Sequence, residues 1–417
     1  MKPYINKNIS SLRPSATLAI NEKSQALIDS GKGVIRLGFG QSPFPVPTVV
    51  TKALQANAHQ KDYLPVKGLL KLRETVAKYH ERKFGVHCTA EDVLIGPGSK
   101  ELLFLTQLIY KGALLLPQPS WVSYAPQAEL TFKEHYWLPT TSRNDYMLDA
   151  QTLDKHCEKW GIQQGILILN YPSNPTGSTL TRKALKAIAE VARKHQVLVL
   201  SDEIYGDVHH KGKHETLAKY YPEGTIVSSG LSKWCGAGGW RLGTFVFPKE
   251  LRWLVNQMAV VASETFTTTS APIQYAAIRA YRGGKSIENY LEGSREVLRI
   301  IAQAVHTLLK KYKIPNPKPK GGFYLMPDFT KHKKSLNKRG IHTSVQLCDQ
   351  LLEDTGVALL PLEAFGYPPE VLGARLSYVD FDGAKALKMI KKNPETTAEE
   401  LAPKVMKGIR AIGDWLE

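Results

Sequence analysis

Four short, largely apolar runs, each leading into a polar or glycine-rich turn, constrain this chain of 417 residues more than any other feature. They are Val93-Leu-Ile95, Ile166-Leu-Ile-Leu169, Val197-Leu-Val-Leu200 and Thr225-Ile-Val227. A strand with apolar residues at consecutive positions is buried on both faces, which requires helices on both sides of the sheet. Helical patterns do lie between the runs. Residues 67–84 set Leu69, Leu72, Val76 and Tyr79 on one face, and Arg182–His195 repeats the spacing after a turn that ends near Thr181. Strand and helix in alternation predict an α/β fold with a mainly parallel sheet. Further on, Ile287–Tyr312 reads as one long helix, with Tyr290, Leu291, Val297, Leu298, Ile301, Val305 and Leu308 as its apolar positions. The Pro-rich Pro315–Gly322 then turns into Phe323-Tyr-Leu-Met326. A helix near Ile341–Thr355 and a strand Val357–Leu360 follow.

In open α/β sheets, ligands sit beyond the carboxyl ends of the strands. The residues there are polar and varied: Gly98-Ser-Lys100, Asn174, Asp202, Tyr205 and Lys233. Lys233 stands among small residues in Ser229-Gly-Leu-Ser-Lys-Trp-Cys-Gly-Ala-Gly-Gly-Trp-Arg241, which let a planar molecule approach the backbone. Burial disfavours an ammonium, and the neutral amine can attack an aldehyde. Arg241 offers a planar fork for a phosphate, and Ser232 a hydroxyl. Gly98, Ser99 and Lys100 open a helix after a glycine turn, and the amides of a helix N-terminus form an anion site. Taken singly, these residues have ordinary readings: a solvated lysine, a capping aspartate, a βα turn. Their order gives them meaning together.

Asn174-Pro-Thr-Gly177, Asp202-Glu-Ile-Tyr205, Ser232-Lys233 and Gly239-Trp-Arg241 occur in the order found in the class I/II aminotransferases. The chain resembles that pyridoxal 5'-phosphate (PLP) dependent family of fold type I, in its bacterial-type aspartate aminotransferase branch. The resemblance runs from Leu12-Arg-Pro-Ser-Ala-Thr-Leu-Ala-Ile20 to beyond Arg375. It implies a large domain with a seven-stranded, mainly parallel sheet flanked by helices, and a smaller α+β domain. The expected division is residues 1–45 as an N-terminal segment joining the small domain, 46–290 as the PLP domain and 291–417 as the small domain. It implies further that Lys233 carries PLP, that Asp202 faces the pyridine nitrogen, and that Asn174 and Tyr205 donate to the phenolic oxygen. Trp121, in Pro119-Ser-Trp-Val-Ser-Tyr124, becomes the residue stacked on the ring. Gly98, Ser99, Lys100, Ser232 and Arg241 surround the phosphate. Arg375, in Ala374-Arg-Leu-Ser377, takes the substrate α-carboxylate, with Gly40, Trp121 and Asn174 beside it. Tyr63 of Tyr63-Leu-Pro-Val-Lys-Gly68 reaches the phosphate of a neighbouring subunit, which implies a homodimer with shared active sites.

The implied activity is ping-pong transfer of an amino group between an L-amino acid, aspartate or another acidic or aromatic one, and a 2-oxo acid. Lys100 is the candidate second cation for a dicarboxylic substrate, with Ser15 and Thr17 in support, whereas Trp121 and Phe39 suit an aromatic one. Two alternatives stand beside this. A C–S lyase or decarboxylase of the same fold uses the same site residues. A non-catalytic aminotransferase-like regulator carries an added DNA-binding domain, for which the few residues before Leu12 leave no room. Pro361-Leu-Glu-Ala-Phe-Gly366 and Gln41-Ser-Pro-Phe44 depart from the family's usual Pro-Gly-x-x-Phe-Gly and Glu-Pro-Asp-Phe, which bears on side-chain specificity.

Composition narrows the class without adding chemistry. No apolar run approaches a membrane span, and the start lacks a signal or transit pattern, so a cytoplasmic enzyme is expected. Cys88, Cys157, Cys235 and Cys348 lack metal or disulfide spacing, so no metal is expected. The net charge of +17 could suit nucleic acid, but the basic residues are dispersed. Their densest groups, Lys310–Lys313, Lys331–Lys334 and Lys388–Lys392, read as solvated helix ends and loops, so no nucleic-acid partner is expected.

Overall fold

The computed structural model of the chain describes residues 16–417 together with residues 4, 6, 9 and 12. Ser15 therefore lies outside the described residues, as does part of the opening motif. The strands are β1 (Ile35–Arg36), β2 (Val93–Gly96), β3 (Leu114–Gln118), β4 (His135–Pro139), β5 (Ile166–Asn170), β6 (Leu198–Asp202), β7 (Thr225–Gly230), β8 (Gly243–Val246), β9 (Tyr324–Leu325), β10 (Val357–Ala358), β11 (Leu360–Pro361) and β12 (Ala374–Ser377).

Seven of them form one sheet in the order β2-β8-β7-β6-β5-β3-β4. Neighbouring strands from β3 to β7 pair in parallel, and β8 alone runs antiparallel to both its neighbours. The sheet is thus mainly parallel and buried on both faces, for the reason the apolar runs indicate. Alternate side chains divide between two cores. Leu114, Leu116, Ile166, Ile168, Leu198 and Leu200 pack with Leu102 and Leu105 of the helix Ser99–Ile109 and Leu254 and Met258 of the helix Arg252–Ser263. Leu115, Leu167, Leu169 and Val199 pack instead with Leu153 of the helix Ala150–Trp160 and Leu185 and Ile188 of the helix Arg182–Lys194. The Thr181 hydroxyl caps the latter helix by accepting from the Ala184 amide at 3.2 Å.

Two local readings need correction. The helix expected from residue 67 begins at Leu70, because Gly68 takes φ +102° and packs directly on Ile95, a conformation and a closeness that only glycine allows. The expected strand Val357–Leu360 is two strands in two sheets. Val357–Ala358 pairs in parallel with β1, while Leu360–Pro361 pairs antiparallel with β12, and the chain changes partner at Leu359. Two strands had no clear periodic signal: edge strand β4, which is only partly buried, and β8.

The helix Lys285–Lys311 has 27 residues and so spans about 40 Å. It touches the turn after β6, where Arg295 Nε donates to the Asp207 carbonyl at 2.7 Å, and packs on the helices Gly383–Lys392 and Pro403–Leu416. The antiparallel sheet β11-β12-β9 carries Arg375 and Tyr324, with Tyr324 opposite Ser377. The basic groups at 310–313, 331–334 and 388–392 are largely exposed, at helix ends and connecting turns. Among the described residues no helix is long and apolar enough to cross a membrane.

Candidate active site

The polar residues that follow β2, β5, β6 and β7 come together because those strands run in one direction and end on one edge of the sheet. Asp202 is the last residue of β6 and is only 4% exposed. Its carboxylate accepts from the Tyr124 hydroxyl at 2.6 Å and more weakly from Ser228 Oγ and the Ile204 amide, both at 3.4 Å. Burial nevertheless raises its pKa to about 6, against the opposing pull of the Tyr124 bond, the Ile204 amide and the charge of Lys233. A buried carboxylate held on the acceptor side by a neutral phenol is suited to a cationic partner such as a protonated pyridine nitrogen.

Lys233 lies in the turn after β7, and its Nζ donates to the Gly40 carbonyl at 2.5 Å. Burial lowers its pKa to about 8, helped by the positive charges of Arg375, Arg241 and Lys100 and opposed by Asp202. At pH 7.5 roughly one amine in four is then neutral, against about one in a thousand at the ordinary value of 10.5. That is the state a nucleophile or base needs.

The anion site follows from backbone geometry. Gly98, at φ +91°, precedes the helix Ser99–Ile109 and gives it no side-chain cap, so the first-turn amides are left to an external acceptor. A Cβ on Gly98 would collide with the Arg241 guanidinium, which donates to the Gly238 carbonyl at 2.9 Å and approaches the Pro97 carbonyl at 3.4 Å. The uncapped amides at Ser99 and Lys100 therefore lie beside Arg241, whose charge acts on Lys100 and Lys233, and Ser232 adjoins Lys233 in sequence. Gly243 of β8 permits this, because a side chain there would strike the Ser99 amide.

Arg375 is 2% exposed. Its Nη2 donates to the Gly38 carbonyl at 2.6 Å and its Nη1 to Asn174 Oδ1 at 3.2 Å, while Nε has no partner among the described residues. Burial lowers its pKa, although the guanidinium stays charged. Among the described residues no carboxylate neutralises this cation by direct contact, so it is disposed to receive one. Because Arg375 takes the oxygen of the Asn174 amide, the NH2 of that amide is left to donate to a ligand. Asn170 holds the same loop, its side chain accepting from the Asn174 backbone N–H at 2.7 Å and donating to the Asp202 carbonyl at 2.9 Å.

Lys100 Nζ lies 5.1 Å from the centre of the Trp121 ring, and its pKa is lowered by burial and then by Arg241. Trp121 packs edge-on against Tyr124 at 5.3 Å. Tyr205 is 3% exposed and shares a hydrogen bond of 2.8 Å with Tyr324. Gly40 departs from expectation in detail: its carbonyl holds Lys233, and a Cβ there would lie 2.6 Å from the Tyr324 hydroxyl. Tyr63 stands apart from the group and is 87% exposed. Thr17 is partly buried on the helix Ala16–Asp29.

Sequence reasoning passed over Tyr124, Asn170, Gly243 and Tyr324. Tyr124 and Asn170 lay inside segments already singled out, but which carboxylate or amide they would meet is a matter of packing. The set of donors fits PLP on this chain's own chemistry: an amine with a depressed pKa, a buried carboxylate and an uncapped helix N-terminus beside an arginine.

Comparison with known proteins agrees. Residues 32–380 match the family described as aminotransferase class I and II. The aspartate aminotransferase of Geobacillus stearothermophilus is 34% identical over 89% of this chain and 93% of its own length. The asparagine–oxo-acid transaminase of Streptococcus mutans is 30% identical over 90% of this chain and 94% of its own. The solved structure of Thermus thermophilus aspartate aminotransferase with maleate superposes with a TM-score of 0.84 at 25% identity, covering 98% of this chain and 100% of that one.

Proposed function

Because the chain belongs to the PLP-dependent class I and II aminotransferases, we propose that it takes the amino group of an acidic L-amino acid, aspartate first, and passes it to a 2-oxo acid such as 2-oxoglutarate in two half-reactions. The observation that carries this reading is the pair of cations at the site. Among the described residues Arg375 has no carboxylate in contact, and Lys100 lies beside Trp121, with the charges of both cations felt by Lys233.

When bound, PLP supplies an aldehyde carbon and a ring that can accept electrons from a bond at the substrate's Cα. Asp202 holds a proton at the ring nitrogen. Arg375 grips the α-carboxylate, and Asn174, fixed by Arg375 and Asn170, keeps its NH2 towards the phenolic oxygen beside Tyr205. The first-turn amides at Ser99 and Lys100, with Ser232 and Arg241, anchor the phosphate, and Trp121 covers the ring. The neutral Nζ of Lys233 would take up and pass on the proton that leaves the substrate's Cα; release of the 2-oxo acid also consumes one water, and the amino nitrogen stays with the cofactor.

Lys100 decides the substrate class. A charged pair in a partly desolvated pocket contributes about 1.5–3 kcal/mol, or roughly 10–100-fold in specificity. Lys100→Ala is expected to cut kcat/KM for aspartate by that factor and leave phenylalanine nearly unchanged. An equal fall for both substrates assigns Lys100 to the cofactor phosphate and removes the support for an acidic substrate. A chain that prefers phenylalanine from the outset points to Trp121 and Phe39 as the walls of an aromatic pocket.

The same reading includes a homodimer in the cytoplasm. Tyr63, exposed on the loop before the helix Leu70–Phe84, supports the dimer, and four free cysteines suit a reducing compartment. Tyr63→Phe is expected to weaken PLP binding several-fold, the effect of losing about 1 kcal/mol, one ordinary hydrogen bond in a site with several other phosphate contacts. Mixing that variant with Lys233→Ala subunits restores intact sites in the mixed dimers, and activity rises on mixing. Full activity in a strictly monomeric species, measured by sedimentation alongside turnover, contradicts shared sites.

A further inference from the structure

Tyr324 belongs to none of the groups considered so far, yet it touches three of them. It is buried on β9, with its hydroxyl 2.8 Å from that of Tyr205 and the two rings nearly perpendicular at 83°. The face of its ring lies 4.8 Å from the Arg375 guanidinium carbon. The Gly40 backbone passes so close that a Cβ there would sit 2.6 Å from the Tyr324 oxygen. Nothing else could occupy that space.

Two tyrosine hydroxyls in contact share one hydrogen bond, and each has a single proton to give. We propose that Tyr324 is a positioning residue which donates that bond to the Tyr205 oxygen, so that the proton of Tyr205 is left for the cofactor's phenolic oxygen. The proposal rests on the placement of Tyr205 given above. It has two supports. Arg375 lies against the ring of Tyr324, and an adjacent cation makes a phenol a better donor. Burial raises the pKa of both hydroxyls and the Arg375 charge lowers both, but for Tyr324 that charge is the leading counterweight, whereas for Tyr205 it comes after the contributions of Tyr324, which push it further up. The more acidic phenol is the donor of such a pair. Accepting this bond also polarises the Tyr205 O–H, so it donates more strongly to its next partner. The smallness of Gly40 gains a reason here: it makes room for the hydroxyl that orients Tyr205.

The test reads the pH midpoint of the visible band of the PLP-loaded enzyme. A donor at the phenolic oxygen favours the deprotonated form of the bound cofactor, so losing that donor raises the midpoint. Tyr205→Phe is expected to raise it. Tyr324→Phe, which keeps the ring over Arg375, is expected to raise it in the same direction by about half a unit to one unit, the size of one ordinary hydrogen bond. Gly40→Ala, which crowds the Tyr324 hydroxyl, should shift it with the same sign. In the double variant Tyr205→Phe/Tyr324→Phe the midpoint should match that of Tyr205→Phe alone, because Tyr324 acts through Tyr205. Binding of maleate, a non-reacting dicarboxylate, should change less than about twofold in Tyr324→Phe, since its Arg375 contact is intact. A fall in the midpoint for Tyr324→Phe shows that Tyr205 is the donor of the pair, and no change shows that the bond orients nothing; either overturns the proposal. Additive shifts in the double variant also overturn it. A Tyr205→Phe enzyme with an unmoved midpoint refutes the placement of Tyr205, and the proposal with it.

Discussion

Lys233→Ala leaves a chain that folds and still binds PLP through its phosphate contacts, but the visible band of the loaded enzyme disappears and amino-group transfer falls by roughly 10⁴-fold or more. The size follows from removing one residue that serves twice, as the amine that holds the aldehyde and as the base at Cα. The fold should survive because Lys233 makes one side-chain hydrogen bond, to the Gly40 carbonyl, and its amine is partly discharged already by a pKa near 8. Borohydride reduction of the wild-type holoenzyme, followed by peptide mass spectrometry, should locate the pyridoxyl group on Lys233. Finding it on Lys100 or another lysine refutes the assignment. Single-turnover measurement with aspartate then separates the two duties. An added small amine can restore proton transfer in Lys233→Ala, but it cannot restore the covalent attachment.

Asp202→Ala is expected to slow proton removal from Cα by about 10²–10³-fold, the range found when one preorganised charge partner is removed from a transition state. Maleate binding should change only a few-fold, because Arg375 and Lys100 lie elsewhere. An equal loss in binding and rate reduces Asp202 to a structural cap. The carboxylate also makes a stability prediction for the cofactor-free chain. Its pKa of about 6 in the fold exceeds the unfolded value of 3.8, so the ionised form is the disfavoured one. The cost is absent below pH 4, grows as pH rises, and is fully present above about pH 6, where it reaches about 3 kcal/mol. Asp202→Asn keeps the shape and removes the charge. It should therefore make the empty chain more stable than the wild type at pH 7, with the difference fading towards pH 4, as urea midpoints across that range will show. With its ring nitrogen against Asp202, as proposed, PLP is expected to reverse the sign by placing a cation there. The residue thus lowers the stability of the empty protein and serves the loaded one.

Four apolar runs and two amphipathic segments are enough to reveal a parallel sheet covered on both faces, since burial on two sides admits no alternation of polar residues. The carboxyl ends of β2, β5, β6 and β7 then locate Gly98, Asn174, Asp202 and Lys233, because in a parallel sheet all such ends share one edge. What failed was local. The start of the helix Leu70–Phe84 depended on Gly68 touching Ile95. The division of Val357–Pro361 between two sheets depended on which strands reached it from elsewhere in the chain. Edge strand β4 has no clean alternation because it is covered on few sides, so its pattern carries little information.

The candidate site residues were therefore legible in the sequence itself, through their types, their order and their places after apolar strands. What conditions them was decided by the tertiary structure alone. Tyr124 meets Asp202 across 78 positions of chain, Tyr205 meets Tyr324 across 119, and Asn174 meets Arg375 across 201. Such pairs leave no periodic or spacing signal, because hydrogen-bond geometry is set by how whole layers pack and not by neighbours along the chain. The depressed pKa of Lys233 and the raised one of Asp202 arise in the same way. Burial is the first cause of both, and burial is a property of the folded chain.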